Sequence, residues 1–384
     1  MILNYRIFQW RLLFVSCVLV AIGIFFSLAI APHSNEVAGA TDLSIGKEQN
    51  ATIASIEHCE GQVDLAMARI RQSSVSMAYT NWINSQRLLL GGARSKDIEV
   101  KSKSLLKAFF RDIVPSDELH VSPFQLRDGY LYARFSKGTF QEEEIDHEYL
   151  SCLALSEAPI TFSFSENSKV YSIFDLLMGA KREATFMTTD PCLIIALSHY
   201  VAPTEKWINK FGESISLSGM AKALLLDNSI CETSYGRMSM ACLYQAFKES
   251  RDAEGKAVVR LASERLRQDM AELRSTQDPE GSFVKASYPS VLLAQESVRF
   301  QITGRELEWI TYAVSPDQLR QDWIVKAVDF VAGEIAGRIA LVSDATFPTS
   351  EERMAYGDIC HAMSAIFRWK QGIHVSDLGE KEVD

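Results

Sequence analysis

Glu308, His361, Arg305 and Tyr235 are the side chains of this sequence whose types and positions could do acid–base chemistry together. Each lies near the expected start of a helix in the second half of the chain, as do Cys231, Thr303 and Tyr356. If those helix starts meet, Glu308 and His361 can serve as acid and base. Arg305 or Tyr235 can then steady the negative charge that develops. Cys231, Thr303 and Tyr356 would line the same cavity. A structural reading competes with this one. Glu308 and Arg305 are spaced i, i+3 and can pair on one helix, and His361 can be a partly buried, hydrogen-bonded histidine.

Metal chemistry has one candidate, Cys360-His361 with Cys231. Zinc needs three or four converging ligands, and on an ideal helix Cys360 points about 100° away from His361. No metal and no cofactor is expected. The run Glu142-Glu143-Glu144 with Asp146 suits the positive end of a helix dipole rather than a cation site. The chain has neither a phosphate-binding G-x-x-x-x-G-K-[ST] loop nor a G-x-S-x-G nucleophile turn.

The chain that must position these residues has 384 of them, 47% hydrophobic, enough for one large core or two medium ones. Its formal net charge is −10 and Lys and Arg form no long block, so nucleic acid is not an expected partner. Leu12 to Ala31 carries no charge and is long enough to cross the ~30 Å bilayer core. Arg6 and Arg11 precede it; His33, Glu36 and Asp42 follow. The positive-inside rule then leaves the N-terminus in the cytoplasm and the bulk of the chain extracytoplasmic, as in a single-pass periplasmic protein of the cell membrane. A cleaved signal peptide, with Ala38-Gly39-Ala40 as the cleavage site, is the alternative. Six cysteines follow the apolar segment at wide, irregular spacings, which reads as scattered buried thiols rather than a disulfide framework.

Residues 32–50 read as a linker. Residues 51–140 read as a smaller helical region, with FQLRDGYLYARFS as the best strand or hairpin. From about 141 to 372 helix follows helix: HEYLSCLALSEA, VYSIFDLLMGAKREA, PCLIIALSHYV, SLSGMAKALLLDN, YGRMSMACLYQAFKESRD, KAVVRLASERLRQDMAELR, GRELEWITYAV, a long one from Pro316 to about Val342, and YGDICHAMSAIFRWKQG. Ser216 is a candidate N-cap. Several of these helices are apolar on more than one face, as the inner layer of two would be. Residues 373–384 read as a disordered tail.

One turn carries more information. In STQDPEGSF, Pro279 stops the preceding helix, Gly281 permits a left-handed backbone, Gln277 can bond exposed backbone groups, and Phe283 can close over them. This Gln-x-x-x-Gly-x-Phe pattern resembles the repeat turn of the terpenoid-cyclase-like α/α-toroid proteins, where Trp usually stands in place of Phe283. Residues from QITGRELEWITYAVSPDQLRQDWIVKAVDFVA through YGDICHAMSAIFRWK resemble a group of planctomycete-type bacterial toroid proteins. So do HYVAPTEKWINKFGESISLSGMAKALL and ICETSYGRMSMACLYQAFK, and together the resemblance covers roughly residues 145–372. It implies a helical barrel with a cavity, not a reaction. The group's Cys-Gly-Gly-Thr-His box is Cys231-Glu232-Thr233-Ser234-Tyr235 here. Its Thr-Gly-His is Thr303-Gly304-Arg305, and its late Tyr-His is Cys360-His361, so two of three imidazoles are missing. Cys360-His361 with Cys231 also resembles the zinc ligands of lanthionine-forming cyclases, with Ala362 in place of their glycine. The Asp-x-Asp-Asp acid of squalene-type cyclases is absent.

The expectation is an all-α, α/α-toroid-like domain behind a single membrane helix. It would bind an envelope polymer, lipid or protein partner in its cavity. The alternatives are a lyase or hydrolase acting on envelope glycan through Glu308 and His361, and a purely structural envelope protein.

Overall fold

The computed structural model describes residues 50–72, 124–133, 147–155, 157–166, 169–284, 295–339 and 350–379. These are mostly helical, with three short hairpins. The expected membrane segment, Leu12–Ala31, lies outside them. Among the described residues no helix is long and apolar enough to cross a membrane.

The helices are α1 (Ile53–Gln72), α2 (Glu148–Leu155), α3 (Ile173–Glu183), α4 (Pro191–Tyr200), α5 (Leu217–Leu226), α6 (Asn228–Cys231), α7 (Ser234–Phe247), α8 (Ala253–Ser275), α9 (Glu296–Ala313), α10 (Asp322–Ile339) and α11 (Ser350–Gly379). Their starts follow local chemistry. Asp190, Ser216, Asp227, Thr233 and Asp252 each accept a backbone N–H from the first turn of the helix they precede, and Pro191 occupies the position where its missing N–H costs nothing. Asp175 reaches back to the Ser172 N–H at 2.7 Å in front of α3.

Helices α2, α4, α7, α9 and α11 pack each on the next, and α3, α5, α8 and α10 pack against this row. The register along the row is legible from side chains. Arg305 meets Asp358 and Glu308 meets His361, so α9 and α11 run parallel. Ser234 meets Glu306 and Gln245 bonds the Tyr312 and Ala313 carbonyls, so α7 and α9 run parallel too. The helices point the same way, but α9 begins at Glu296 and α11 at Ser350, so Arg305, Glu308 and His361, expected at helix starts, lie two or more turns inside them. The α9–α11 seam is tight: a Cβ at Gly304 would stand 3.1 Å from that of Ala362.

The hairpin expected in FQLRDGYLYARFS forms between β1 (Phe124–Arg127) and β2 (Tyr130–Ala133). Asp128 and Gly129 both have positive φ, as a two-residue primed turn requires. Two further hairpins, β3 (Ser163–Glu166) with β4 (Lys169–Ser172) and β5 (Lys206–Ile208) with β6 (Ser214–Ser216), stand where the sequence suggested helix or loop. Val170 and Tyr171 belong to β4, so α3 begins later than VYSIF suggested.

Two boundaries also move. The region 51–140 was set apart as a smaller unit, yet α1 is built into the main core. Ile56, Cys59 and Val63 are buried with the residues of α10 and α11, and the Cys59 thiol donates to the Val325 carbonyl at 3.7 Å. The tail expected from 373 continues α11 as helix to Gly379.

The turn after α8 forms as its residues dictate. Gly281 has φ +100, and a Cβ there would stand 2.3 Å from the Lys326 carbonyl oxygen. The Gln277 side-chain amide donates to the carbonyls of Gly281 at 2.9 Å and Trp323 at 2.8 Å. Phe283 is fully buried against Trp323, with ring centroids 6.0 Å apart. The turn thus pins the end of α8 to the start of α10.

Candidate functional site

The seam between α9 and α11 carries polar side chains where two packed helices would ordinarily bury apolar ones. On α9 they are Arg305, Glu308 and Tyr312, spaced i, i+3, i+7, which places them on one face. On α11 they are Asp358, His361 and Arg368. They meet as three rungs. Arg305 donates to Asp358 at 3.1 Å. His361 Nδ1 bonds Glu308 Oε2 at 2.7 Å. The Arg368 guanidinium lies over the Tyr312 ring, 4.8 Å from its centroid.

The middle rung is the deepest. Glu308 is 4% exposed and His361 7%. Tyr235, from the first turn of α7, sets its ring at 79° to the imidazole with centroids 6.1 Å apart. A carboxylate at Nδ1 fixes the ring's orientation and tautomer, which makes Nε2 the atom through which a proton would pass. Burial pushes the Asp358 carboxyl above its usual range, and the nearby positive charges of Arg305 and His361 only partly offset this.

The seam continues inward to the thiol of Cys242 on α7. Burial pushes that thiol up to about 12, against the opposing influence of Arg368 and a hydrogen bond with Tyr312, and Glu308 raises it further. At this pKa the thiol is protonated and a poor nucleophile. Its value here is positional: Cys242 touches the electrostatic surroundings of both the Glu308 and the Arg368 rungs.

Six of the seven residues singled out from sequence divide into three sets. Glu308, His361 and Tyr235 come together. Arg305 stands one helical turn from Glu308 but bonds Asp358, so the expected Arg305–Glu308 ion pair is replaced by two cross-helix pairs. The reason is that α11 lies parallel to α9 at the same register and offers a closer partner to each. Thr303 and Cys231 are in neither group. Thr303 is buried, donates to the Arg299 carbonyl at 2.7 Å and accepts the Phe283 N–H at 2.9 Å, fastening the turn. Cys231 is buried with its thiol donating to the Leu224 carbonyl at 3.3 Å. Both serve backbone rather than a cavity. Tyr356 lies on α11, and its side chain is outside the described residues.

Asp358, Tyr312, Arg368 and Cys242 were not singled out from sequence. The signal was present: 305, 308 and 312 share one helical face, and 358, 361 and 368 share another. Another dyad was also missed. His147, just before α2, bonds Asp190 at 2.6 Å. Burial alone would raise the Asp190 carboxyl; the His147 bond and the Cys192 N–H together hold it below the usual carboxylate range.

All six described cysteines are free thiols, and among the described residues no three His, Cys, Asp or Glu side chains gather as metal ligands do. Compared with known proteins, the chain matches no family model and no curated protein.

Proposed function

We propose that this chain is an N-terminally anchored extracytoplasmic protein. Its helical part is an α/α-toroid-like domain that binds an envelope polymer, a lipid or a protein partner in its cavity, at the Tyr235–Glu308–His361 cluster of its inner helices. The toroid reading is supported by the row α2, α4, α7, α9, α11 with α3, α5, α8 and α10 packed against it, and by the parallel register of α7, α9 and α11. The binding reading rests on one observation, the run of charged and hydrogen-bonding rungs along the α9–α11 seam. A seam built for stability alone is served as well or better by apolar side chains, since desolvating charges costs several kcal/mol per ion.

The test is native mass spectrometry of the full chain, extracted in mild detergent from its own envelope. A glycan, lipid or protein is expected to travel with the wild-type chain and to be lost from His361→Ala. A clean apo mass, together with no binding to purified envelope glycan, lipid or protein fractions, overturns the reading.

The Glu308–His361 bond specifically favours a second reading, in which the bound polymer is a glycan that the pair cleaves as a lyase or hydrolase. Glu308→Gln retains the shape and removes the charge. Release of new reducing or unsaturated ends from envelope glycan by wild type and not by this variant is the expected result. Equal release by both chains removes Glu308 from the chemistry.

A further inference from the structure

Two turns beside the end of α3 carry large apolar side chains at their corners. In the first, the Thr188 N–H bonds the Thr185 carbonyl at 3.1 Å, and the Thr188 hydroxyl accepts the Thr185 N–H at 2.9 Å. Its corners are Phe186 and Met187. In the second, the Gly212 N–H bonds the Asn209 carbonyl at 3.1 Å, and Gly212 takes a φ of +80. Its corners are Lys210 and Phe211. Corner positions ordinarily fall to small or polar residues, which supply the turn geometry and meet water readily. Here Met187 is 85% exposed, Phe211 63% and Phe186 41%, and Ile208, on the outer face of β5, is 65% exposed.

The two turns are built as one unit. The buried Asn209 side chain joins them. Its Nδ2 donates to the Ala184 carbonyl at 3.0 Å, next to the first turn, while its Oδ1 accepts the N–H groups of Phe211 at 3.0 Å and Glu213 at 2.9 Å in the second. The Lys210 N–H donates to the Arg182 carbonyl at 2.9 Å, and Trp207 Nε1 to the Lys181 carbonyl at 2.9 Å. The apolar tips therefore stand on fixed backbone, and little conformational freedom is lost when they are covered.

Size and the preceding chain say what covers them. At these exposures four side chains offer on the order of 400 Å², about half of the ~800 Å² per partner that a stable protein interface buries. A fluid bilayer needs no matching surface, and in the anchored reading above it is always at hand. Residues 32–49 separate the expected membrane segment from Asn50, which is bridged to Gln321 of the core, and this stretch reaches at most ~65 Å. Tethering makes docking an intramolecular event. Lys206 and Lys210 flank the tips, and their stems suit the headgroup boundary. Glu205 and Glu213 balance them, so apolar contact rather than charge carries the attachment.

We propose that Phe186, Met187 and Phe211, with Ile208, dip into the bilayer and set the helical domain on the membrane face in one orientation. This rests on the N-terminal anchor and is independent of the Glu308–His361 site.

The full chain is reconstituted in phosphatidylethanolamine–phosphatidylglycerol vesicles with a fluorophore at Met187→Cys, Phe211→Cys or, as reference, Ile53→Cys. Ile53 is 75% exposed and lies three residues beyond Asn50, so it senses tethering alone. Peptide mapping confirms the labelled cysteine, and quenching by acyl-brominated lipid is read on vesicles recovered by flotation. At least about twofold quenching is expected at positions 187 and 211 and little at 53, because interfacial side chains sit ~5–10 Å below the surface. Met187→Asp, at a site too exposed to matter for folding, is expected to lower the quenching at position 211, and about 0.5 M salt to leave it unchanged. Equal quenching at all three positions, or none in a chain that floats, overturns the docking and leaves the anchor. A chain that does not float overturns both. Reporters shielded from water but not quenched by lipid mean that a protein, such as a second copy, covers the tips, and this overturns the bilayer as occupant.

Discussion

Helix α9 carries two buried glutamates two residues apart, and they face opposite neighbours. Glu306 points to α7. It accepts from Trp309 Nε1 at 2.7 Å and Ser234 Oγ at 3.1 Å, with Arg237 Nη1 at 3.5 Å. Arg237 is held in turn by Asp269 at 3.0 Å and by the Glu232 carbonyl at 2.8 Å. Arg237 and Trp309 are permanent donors to it, since arginine does not titrate and the indole N–H only donates. Glu308 points to α11 and meets an imidazole, a group whose ordinary pKa lies near neutrality. The first glutamate belongs to a fixed network that locks the start of α7 to α8 and α9. The second is coupled to a proton that can leave. The same residue type on the same helix serves fixity on one side and exchange on the other, and the neighbouring helix decides which.

Four outcomes break or sharpen that contrast. The largest belongs to Glu306→Ala, which takes the acceptor from the buried Trp309 indole N–H and one of two carboxylates from Arg237. A loss of about 3–5 kcal/mol in denaturant unfolding is expected, and a loss below 1 kcal/mol would mean the network is not structural. Gly281→Ala provides a scale remote from both glutamates. Its left-handed φ and the 2.3 Å approach to the Lys326 carbonyl predict a cost of about 2–3 kcal/mol, seen as a lower unfolding midpoint. Glu308→Gln retains an acceptor for His361 and changes only the charge, so it costs about 1–2 kcal/mol. If it cost as much as Glu306→Ala, the two sides of α9 would be alike after all.

The smallest effect is a pH slope. The folded pKa of Asp358 lies above its ordinary value of 3.8, so the folded state holds this proton more tightly than the unfolded state does. That contribution favours folding fully below 3.8 and is lost as pH rises through the folded value. The stability of wild type minus Asp358→Asn is therefore expected to fall as pH rises from 3.5 to 7. A difference that rises with pH overturns the assignment.

The legible part of this chain was local. The cap at Ser216, the hairpin around Asp128-Gly129 and the Gln277–Phe283 stop follow from chemistry within a few residues, so the sequence displayed them. The illegible part was pairing across the row. Arg305 has a suitable carboxylate three residues along its own helix and another 53 residues away, and only the parallel placement of α11 selects the second. Glu308 and His361 could be proposed as partners from type and position alone. That Thr303 and Cys231 would turn toward backbone could not, because hydroxyls and thiols bond carbonyls and ligands equally well. The β3–β4 and β5–β6 hairpins were hidden for a related reason. Their strands are three or four residues long, too short for alternation to declare itself against the helices they border.

Parallel alignment of α7, α9 and α11 has an electrical consequence. Each helix carries roughly half a positive charge at its start and half a negative charge at its end, so side by side these dipoles add rather than cancel as they would between antiparallel neighbours. No lysine or arginine is needed for this field, and acid cannot titrate it away. The starts are staggered, since Ser234 opens α7 level with Glu306, ten residues into α9, so the positive charge is spread along the row rather than gathered at one point.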